Sequence, residues 1–233
     1  MTRLSIIIPL ATAETQHGHL LADLDHLDHL DHLDHLDHLD HLDHLDHLDN
    51  SPLHAEIIQS SQPSRASSLN AGSKQATGQW LWFLHADSRV SQDNLRALEN
   101  SLDQDQHGAA LHYFDLGFND SGPLLRANAL GANLRSRLLF CPYGDQGLCI
   151  SKALFLRLGG FPENRPYGED LLFVWRAHQA AVPLQRIPST LFTSARKYHQ
   201  QGWLNVTLLH QWYWLRLSLP ELFKLVAQRW QRS

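Results

Sequence analysis

The sequence predicts an α/β fold with a mixed, mostly parallel sheet flanked by helices, on the strength of three observations. Strand-like runs alternate with helix-like segments, the order typical of parallel α/β sheets. Residues 80–84 are apolar throughout, as in a strand that is covered on both faces. Polar residues follow at once, where the carboxyl edge of such a sheet binds its ligands. We expect a single domain over residues 1–233.

The elements are predicted in order from local signals. Runs of β-branched, aliphatic and aromatic residues between polar or Gly/Pro-containing segments predict strands at residues 4–9, 54–60, 80–85, 110–118, 148–150 and 184–187. Helical spacing of apolar residues, with capping serines or prolines at the start and glycines at the end, predicts helices at residues 65–78, 91–104, 123–139, 152–158, 169–180, 203–217 and 220–232. The segment 203–233 thus holds two C-terminal amphipathic helices. Its tryptophans and basic residues suit either a bilayer interface or packing against the sheet.

The net charge of -5 arises in one segment of the chain. Residues 23–49 hold ten of the 24 acidic residues and no lysine or arginine. The remainder has 14 acidic and 19 basic residues, an excess of about +5 that suits a phosphorylated ligand. These basic residues form no run, which argues against nucleic acid as a partner. Cys141 and Cys149 lack metal or redox spacing, and we expect them to be reduced in a cytoplasmic protein.

The beginning of the sequence imitates a signal peptide, with one basic residue and a short apolar segment. Pro9 and the three isoleucines at 6–8 favour a first strand instead. No stretch has the apolar length of a membrane-spanning helix, so we expect no membrane span.

A Leu-Asp-His triplet repeats eight times from Leu24. It predicts a low-complexity helix inserted in the domain at residues 23–50. Leucine at every third position winds around a helix and cannot keep to one face. The histidines and aspartates could gather transition metals, but a tandem expansion of a connecting helix is the favoured interpretation. We therefore expect the tract to be dispensable for catalysis.

His85 and Asp87 stand directly after the apolar run. Their alternate spacing points both side chains the same way on extended backbone, so that both could face one divalent cation. A strand end followed by a helix cap is the alternative.

Three further clusters could converge on that edge. Arg65, on a helix with Asn70 and Gly72, suits phosphate oxygens. Residues 143–147 place Asp145 and Gln146 between two glycines, in a ligand loop or a plain turn. Residues 167–170 put two carboxylates at a helix start, either as caps or as a base for an attacking hydroxyl.

The order of these motifs resembles the family 2 glycosyltransferases with a GT-A fold. The resemblance rests on residues 5–9, 65–72, 83–87, 159–163 and 169–170. Residues 144–147 and 193–197 resemble a small bacterial subgroup of family-2-like transferases. The resemblance implies a single GT-A-like domain that transfers a sugar from a nucleotide-diphosphate donor to an acceptor hydroxyl, with inversion.

The resemblance also implies roles for individual residues. Asp87 matches the metal-binding carboxylate of the Asp-x-Asp motif, which holds Mn²⁺ or Mg²⁺, and His85 stands at the position of its first aspartate. Asp170 matches the catalytic base, with Glu169 beside it. The implied substrate and nucleotide ligands are Pro9, Arg65, Asn70, Gly72, Asp145, Gln146 and Arg196.

One alternative function remains open from the sequence. The second strand of the family usually ends in an aspartate that reads the nucleoside, and residues 57–62 hold no carboxylate. The alternative is a binding protein that keeps the GT-A fold without donor recognition. The acceptor is unknown, and the C-terminal helices suggest peripheral contact with the inner face of a membrane.

Overall fold

A computed structural model describes residues 3–10, 54–165 and 167–230. Its strands are β1 (Arg3–Pro9), β2 (His54–Ser60), β3 (Trp80–Phe83), β4 (Leu111–Phe118), β5 (Cys149–Ser151) and β6 (Leu184–Thr193). They form one sheet of six strands in the order β2-β1-β3-β5-β4-β6. Only β5 runs antiparallel to its neighbours, β3 and β4. The predicted mixed, mostly parallel sheet is confirmed.

Helices cover both faces of this sheet. They are α1 (Arg65–Gln75), α2 (Gln92–Gln104), α3 (Pro123–Leu138), α4 (Lys152–Arg157), α5 (Glu169–Gln179), α6 (Arg196–Gln201) and α7 (Trp203–Trp230). Ser64 and Ser91 cap α1 and α2 with side chains that accept hydrogen bonds from backbone N–H groups. These caps explain why the sequence places both helix starts correctly.

The core lies on both sides of β1 and β3. Ile6 and Trp82 belong to one buried cluster, on the side of α2, whereas Ile7 and Phe83 belong to a second, on the side of α1 and α5. Successive strand residues point to opposite faces, so a strand that is covered twice must be apolar at every position. This accounts for the continuous apolar run at residues 80–84.

The prediction for the end of the chain is wrong in three respects. β6 continues to Thr193, because Pro188 lies where its pairing with β4 shifts in register, a place that tolerates proline. The short helix α6 was not predicted. Residues 203–230 form one helix that contains Pro220, not two.

Contacts on both sides of Pro220 hold α7 together. Trp175 Nε1 donates to Ser218 Oγ over 3.1 Å, and Gln179 donates to Glu221 over 2.8 Å. Proline removes one intrahelical hydrogen bond, but α5 fixes the turns before and after it. Among the described residues, no helix is both long and apolar enough to cross a bilayer. The predictions for residues 23–50 and 231–233 lie outside the described residues.

Candidate functional site

A cavity of about 400 Å³ opens beside the carboxyl end of β3. Its wall combines the residues after β3 with the starts of α1 and α5, the 143–145 loop and residues of α6 and α7. Six predicted site residues meet there: Arg65, His85, Asp87, Asp145, Glu169 and Asp170. The fold therefore brings together groups that are up to 105 positions apart in the sequence, from 65 to 170.

Arg65 links the charged groups of the cavity. Its Nε lies 3.0 Å from Glu169 Oε1, and its Nη2 lies 3.6 Å from Asp170 Oδ2. The same Nη2 donates to His85 Nε2 over 2.5 Å. Because Arg65 is the first residue of α1, the helix amino end adds positive potential at the same place. Arg65 is therefore paired with two carboxylates, and an anionic ligand would bind its remaining N–H groups and the helix amino end.

Asp170 is held in position as an anion. Its Oδ2 accepts from the Gly144 N–H over 2.7 Å, and its Oδ1 accepts from the Leu171 N–H over 2.8 Å. Burial alone would raise the pKa of Asp170, but Arg65 and these backbone donors together hold it below the usual value. Burial raises the pKa of the neighbouring Glu169 despite Arg65. The two carboxylates thus differ in environment, as in sites where they have different tasks.

His85 is neutral in this arrangement. Burial and the nearby Arg65 lower the pKa of His85 to about 3. Since Arg65 donates to Nε2, the ring proton is assigned to Nδ1. Neither nitrogen then offers a lone pair to a cation without a change of partner or tautomer. Asp87 lies in the wall of the same cavity.

The 143–147 loop supplies Asp145. Burial raises the pKa of Asp145 to about 6, and its Oδ1 is buried without a hydrogen-bond partner. Gln146 turns inward instead, where its amide donates to Phe114 O and accepts from Ser136 Oγ. Arg135 stacks on Tyr143, 3.8 Å from the ring centre, and donates to Cys141 O. These contacts fix the loop so that only Asp145 and Tyr143 face the cavity.

Five predicted ligands do not line the described wall of this cavity. The amide of Asn70 exchanges hydrogen bonds with the backbone of Phe161, and Gly72 lies against Ile7 where a Cβ would come within 2.6 Å. Gln146 is buried as described, Pro9 is buried at the end of β1, and Arg196 is exposed at the start of α6. Their ligand roles remain predictions.

Several residues of the wall were not among the predicted site residues. Most of them come from the last third of the chain: Tyr167, Lys197, Tyr198, His210, Tyr213 and Leu217. Tyr167 and Lys197 nevertheless belong to motifs that the sequence indicated, at residues 167–170 and 193–197. Tyr143 also faces the cavity, and its position beside Gly144 could have indicated it. The α7 residues carried no signal, because they share one amphipathic pattern with residues that face solvent.

The fold is similar to that of several solved structures. S. aureus TarS 1-349 matches with a TM-score of 0.51 at 15% identity, covering 86% of this chain and 63% of that one. Its complex with UDP-GlcNAc matches with a TM-score of 0.51 at 16% identity, covering 82% of this chain and 58% of that one. The chain thus spans less than two thirds of these structures. At such identities the likeness shows the fold alone.

Sequence comparison identifies the family. No curated protein matches the chain significantly. The sequence profile of Glycosyl transferase family 2 matches residues 41–158, about half of the chain. This match spans the strand that leads to the cavity, together with His85, Asp87 and the 143–147 loop. The mixed sheet and the similar solved folds agree with it, and the chain belongs to glycosyltransferase family 2.

Proposed function

We propose that the chain transfers a sugar from a nucleotide-diphosphate donor to an acceptor hydroxyl, with inversion at the anomeric carbon. The observation that carries this proposal is Asp170, an anion fixed by Gly144 in the wall of the 400 Å³ cavity, 3.6 Å from the cation of Arg65. A single displacement needs one base for the attacking hydroxyl and one group that binds the leaving diphosphate. Such a displacement inverts the configuration of the carbon that is attacked.

Asp170 would accept the proton of the attacking hydroxyl. Its lowered pKa keeps it ionised at neutral pH, although it also makes the carboxylate a weak base. The hydroxyl becomes far more acidic as its oxygen bonds to the anomeric carbon, so transfer late in the displacement suits such a base. The Gly144 N–H holds Oδ2 and directs the carboxylate towards the cavity.

Arg65 and Lys197 would bind the donor diphosphate. Both lie in the wall of the cavity, and the guanidinium of Arg65 offers paired N–H groups to phosphate oxygens. The departing nucleotide diphosphate carries more negative charge than the bound donor. Fixed cations therefore stabilise the transition state more than the ground state.

The potential metal-ligating side chains of the cavity partly fit the divalent cation that the family implies. Asp87 and Asp145 line one cavity, and the unpartnered Oδ1 of Asp145 is an available ligand atom. Within the described ranges, no three metal-ligating side chains cluster. Mg²⁺ commonly takes one or two carboxylates and completes its shell with phosphate oxygens and water. We propose that Asp87 and Asp145 hold it, to neutralise diphosphate charge.

His85 has a different place in this proposal. Its Nε2 accepts from Arg65, so ligation through that atom requires this hydrogen bond to break. The predicted ligand role of His85 stays a prediction. The arrangement favours His85 as the residue that positions Arg65.

The test compares Asp170→Asn with the parent in donor binding and turnover. UDP-GlcNAc is the first donor to try, because the similar TarS structure was solved with it. The variant keeps its size but accepts no proton, so we expect turnover to fall roughly 10²- to 10⁴-fold with donor affinity retained. Asp93→Asn is the matched control, since Asp93 lies in the first turn of α2 and does not line this cavity.

Two outcomes contradict the assignment. Unchanged turnover in Asp170→Asn removes Asp170 from the mechanism. A parent that binds nucleotide sugars without transferring them favours the binding-protein alternative. The strand β2 still ends at Ser60 with no carboxylate in residues 57–62, which is the observation behind that alternative.

We also propose a cytoplasmic location, because the two cysteines are free, buried thiols.

A further inference from the structure

Helix α7 has two apolar sides. Its inner side packs on α5, where Trp214, Leu217 and Leu225 contact a cluster around Leu171 and Trp175. Its outer side carries a second series of apolar residues at intervals of three or four. These exposed residues are Leu204, Leu208, Trp212, Leu215, Leu219 and Phe223. At 3.6 residues per turn this spacing keeps them on one side of the helix, facing solvent.

Helix α3 extends this outer surface. Asn128 of α3 donates to Thr207 Oγ1 over 2.9 Å, and Trp203 Nε1 donates to Leu124 O over 3.0 Å. Of the eighteen exposed large apolar residues within the described ranges, ten lie on α7 and four on α3. We call the outer sides of these two helices the α3–α7 surface. Their clustering exceeds the scattered exposure that is ordinary for a soluble surface.

The charges of the α3–α7 surface are almost entirely positive. Helix α3 has no acidic residue and contributes the exposed Arg126, whereas its Arg135 stacks on Tyr143 and its Arg137 pairs with Asp115. Helix α7 has Arg216, Lys224 and Arg229, with Glu221 as its only acid. Glu221 is turned inward, 16% exposed, and is bound by Gln179 and Lys224. The Arg216 guanidinium lies 4.9 Å from the ring centre of Trp212, an aromatic and cationic pair that suits a headgroup layer.

We propose that the α3–α7 surface binds an anionic lipid bilayer as a peripheral contact. An apolar stripe flanked by cations is the pattern of helices that lie in the plane of an interface. Acidic headgroups complement the cations, whereas the apolar stripe enters the boundary of the acyl region. This proposal does not depend on the catalytic roles, because none of the outward residues of the stripe lines the cavity.

The contact would set the orientation of the active site. The same helix that faces the bilayer supplies His210, Tyr213 and Leu217 to the cavity wall. A bilayer bound at the outer side therefore lies one helix diameter, about 10 Å, from the cavity.

Flotation with lipid vesicles tests this proposal on the full chain. We expect binding to vesicles of phosphatidylcholine with phosphatidylglycerol, weaker binding to pure phosphatidylcholine, and a decrease at high salt. We expect the partition coefficient of the triple variant L208S/L215S/L219S between vesicles and solution to be roughly ten-fold or more below that of the parent. L156S is the matched control, because Leu156 on α4 is 57% exposed and Leu208 is 59% exposed. Thermal melting of each variant confirms that it is folded.

Three results would overturn the proposal. The parent fails to float with anionic vesicles, or the triple variant floats as well as the parent. In the third, the parent does not bind vesicles, and sedimentation shows that the parent is a dimer whereas the triple variant is a monomer. The surface would then hold a second copy of the chain. Asp170→Asn should float like the parent, which separates this test from that of the catalytic base.

Discussion

Gly144 is the point where three side chains of the candidate site meet. A Cβ on Gly144 would lie 2.6 Å from Arg65 Nη2, 2.8 Å from His85 Nε2 and 2.9 Å from Asp170 Oδ2. All three are ends of side chains and can move without unfolding the protein. A single methyl group would therefore displace the base and its partners together.

We expect Gly144→Ala to lower turnover on the order of 10²-fold, because a displacement of about 1 Å at a catalytic group has that cost. Stability should change little, and the melting temperature measures it beside the steady-state rate. The control is Gly131→Ala in α3, where a Cβ meets nothing within 4 Å. That change should stabilise the helix by about 0.5–1 kcal/mol and leave turnover intact. Equal turnover in both variants would contradict the assigned geometry.

Arg65 is the second residue whose geometry matters. Its planar guanidinium contacts Glu169 through one nitrogen and His85 through another, which a lysine ammonium cannot reproduce. We expect Arg65→Lys to weaken donor binding roughly ten-fold or more, measured by calorimetric titration with UDP-GlcNAc. Arg96→Lys on the exposed side of α2 is the control. Unaltered donor affinity in Arg65→Lys would exclude Arg65 as a phosphate ligand.

At the scale of elements, α1 is connected to the segment that precedes α5. Asn70 donates to Phe161 O over 2.8 Å and to Glu163 over 2.7 Å, and it accepts from the Phe161 N–H over 2.9 Å. These bonds tie the helix that carries Arg65 to the segment that leads to Asp170. Asn70 thus has a structural role, whether or not it also touches the donor.

Asn70→Ala separates the two roles. Loss of its bonds should lower the free energy of unfolding by about 1–3 kcal/mol, measured by urea denaturation. Asn205→Ala, which removes one exposed bond within the last helices, should cost only a few tenths of a kcal/mol. If stability is unchanged and donor affinity falls, Asn70 is a nucleotide ligand and not a structural connector.

Local signals explain which elements were predictable. The caps at Ser64 and Ser91 and the apolar run of β3 are set by neighbouring residues, so the sequence places them within a few positions. The continuity of α7 across Pro220 depends on Ser218 and Glu221 meeting α5, more than 40 positions earlier in the chain. No local pattern carries that information, and proline by itself indicates a break.

At the scale of the whole molecule, the candidate site shows the same difference between local sequence signals and contacts of distant residues. The motifs around Arg65, Asp87 and Asp170 indicated groups that the fold does bring to one cavity. The inward turn of Gln146 was not predictable, because its partner Phe114 lies 32 positions away. The wall contributed by α7 was missed for a related reason. A helix with two apolar sides does not reveal which of them is buried.

Buried histidine links the stability of the whole molecule to pH. His112 is fully buried, where Asp105 accepts from its Nε2–H over 3.1 Å and Ser101 donates to its Nδ1 over 2.9 Å. Burial lowers the pKa of His112, although Asp105 opposes this. In the unfolded chain His112 is therefore protonated below about pH 6.5, whereas in the native protein it stays neutral to a lower pH. This contribution to stability is present above about pH 6.5 and is lost as the pH falls towards the native pKa.

We expect His112→Gln to flatten the pH dependence of stability between about pH 7 and pH 5. As the pH falls, the free energy of unfolding of the variant should decrease less steeply than that of the parent, by up to about 1.4 kcal/mol per pH unit. Urea denaturation at several pH values measures this slope. His107→Gln, at an exposed position near Asp105, is the control for the substitution itself. An equal slope in parent and His112→Gln would show that His112 titrates alike in both states.

The two thiols have a practical consequence for spectroscopy. Cys141 is 1% exposed and Cys149 is 0% exposed, and burial raises the pKa of both thiols. Since the thiolate is the reactive form, neither native cysteine should take up a maleimide reagent while the chain is folded. A cysteine introduced on the outer side of α7 can therefore be labelled alone. One spin label or fluorophore there would report directly on what that side of the helix touches.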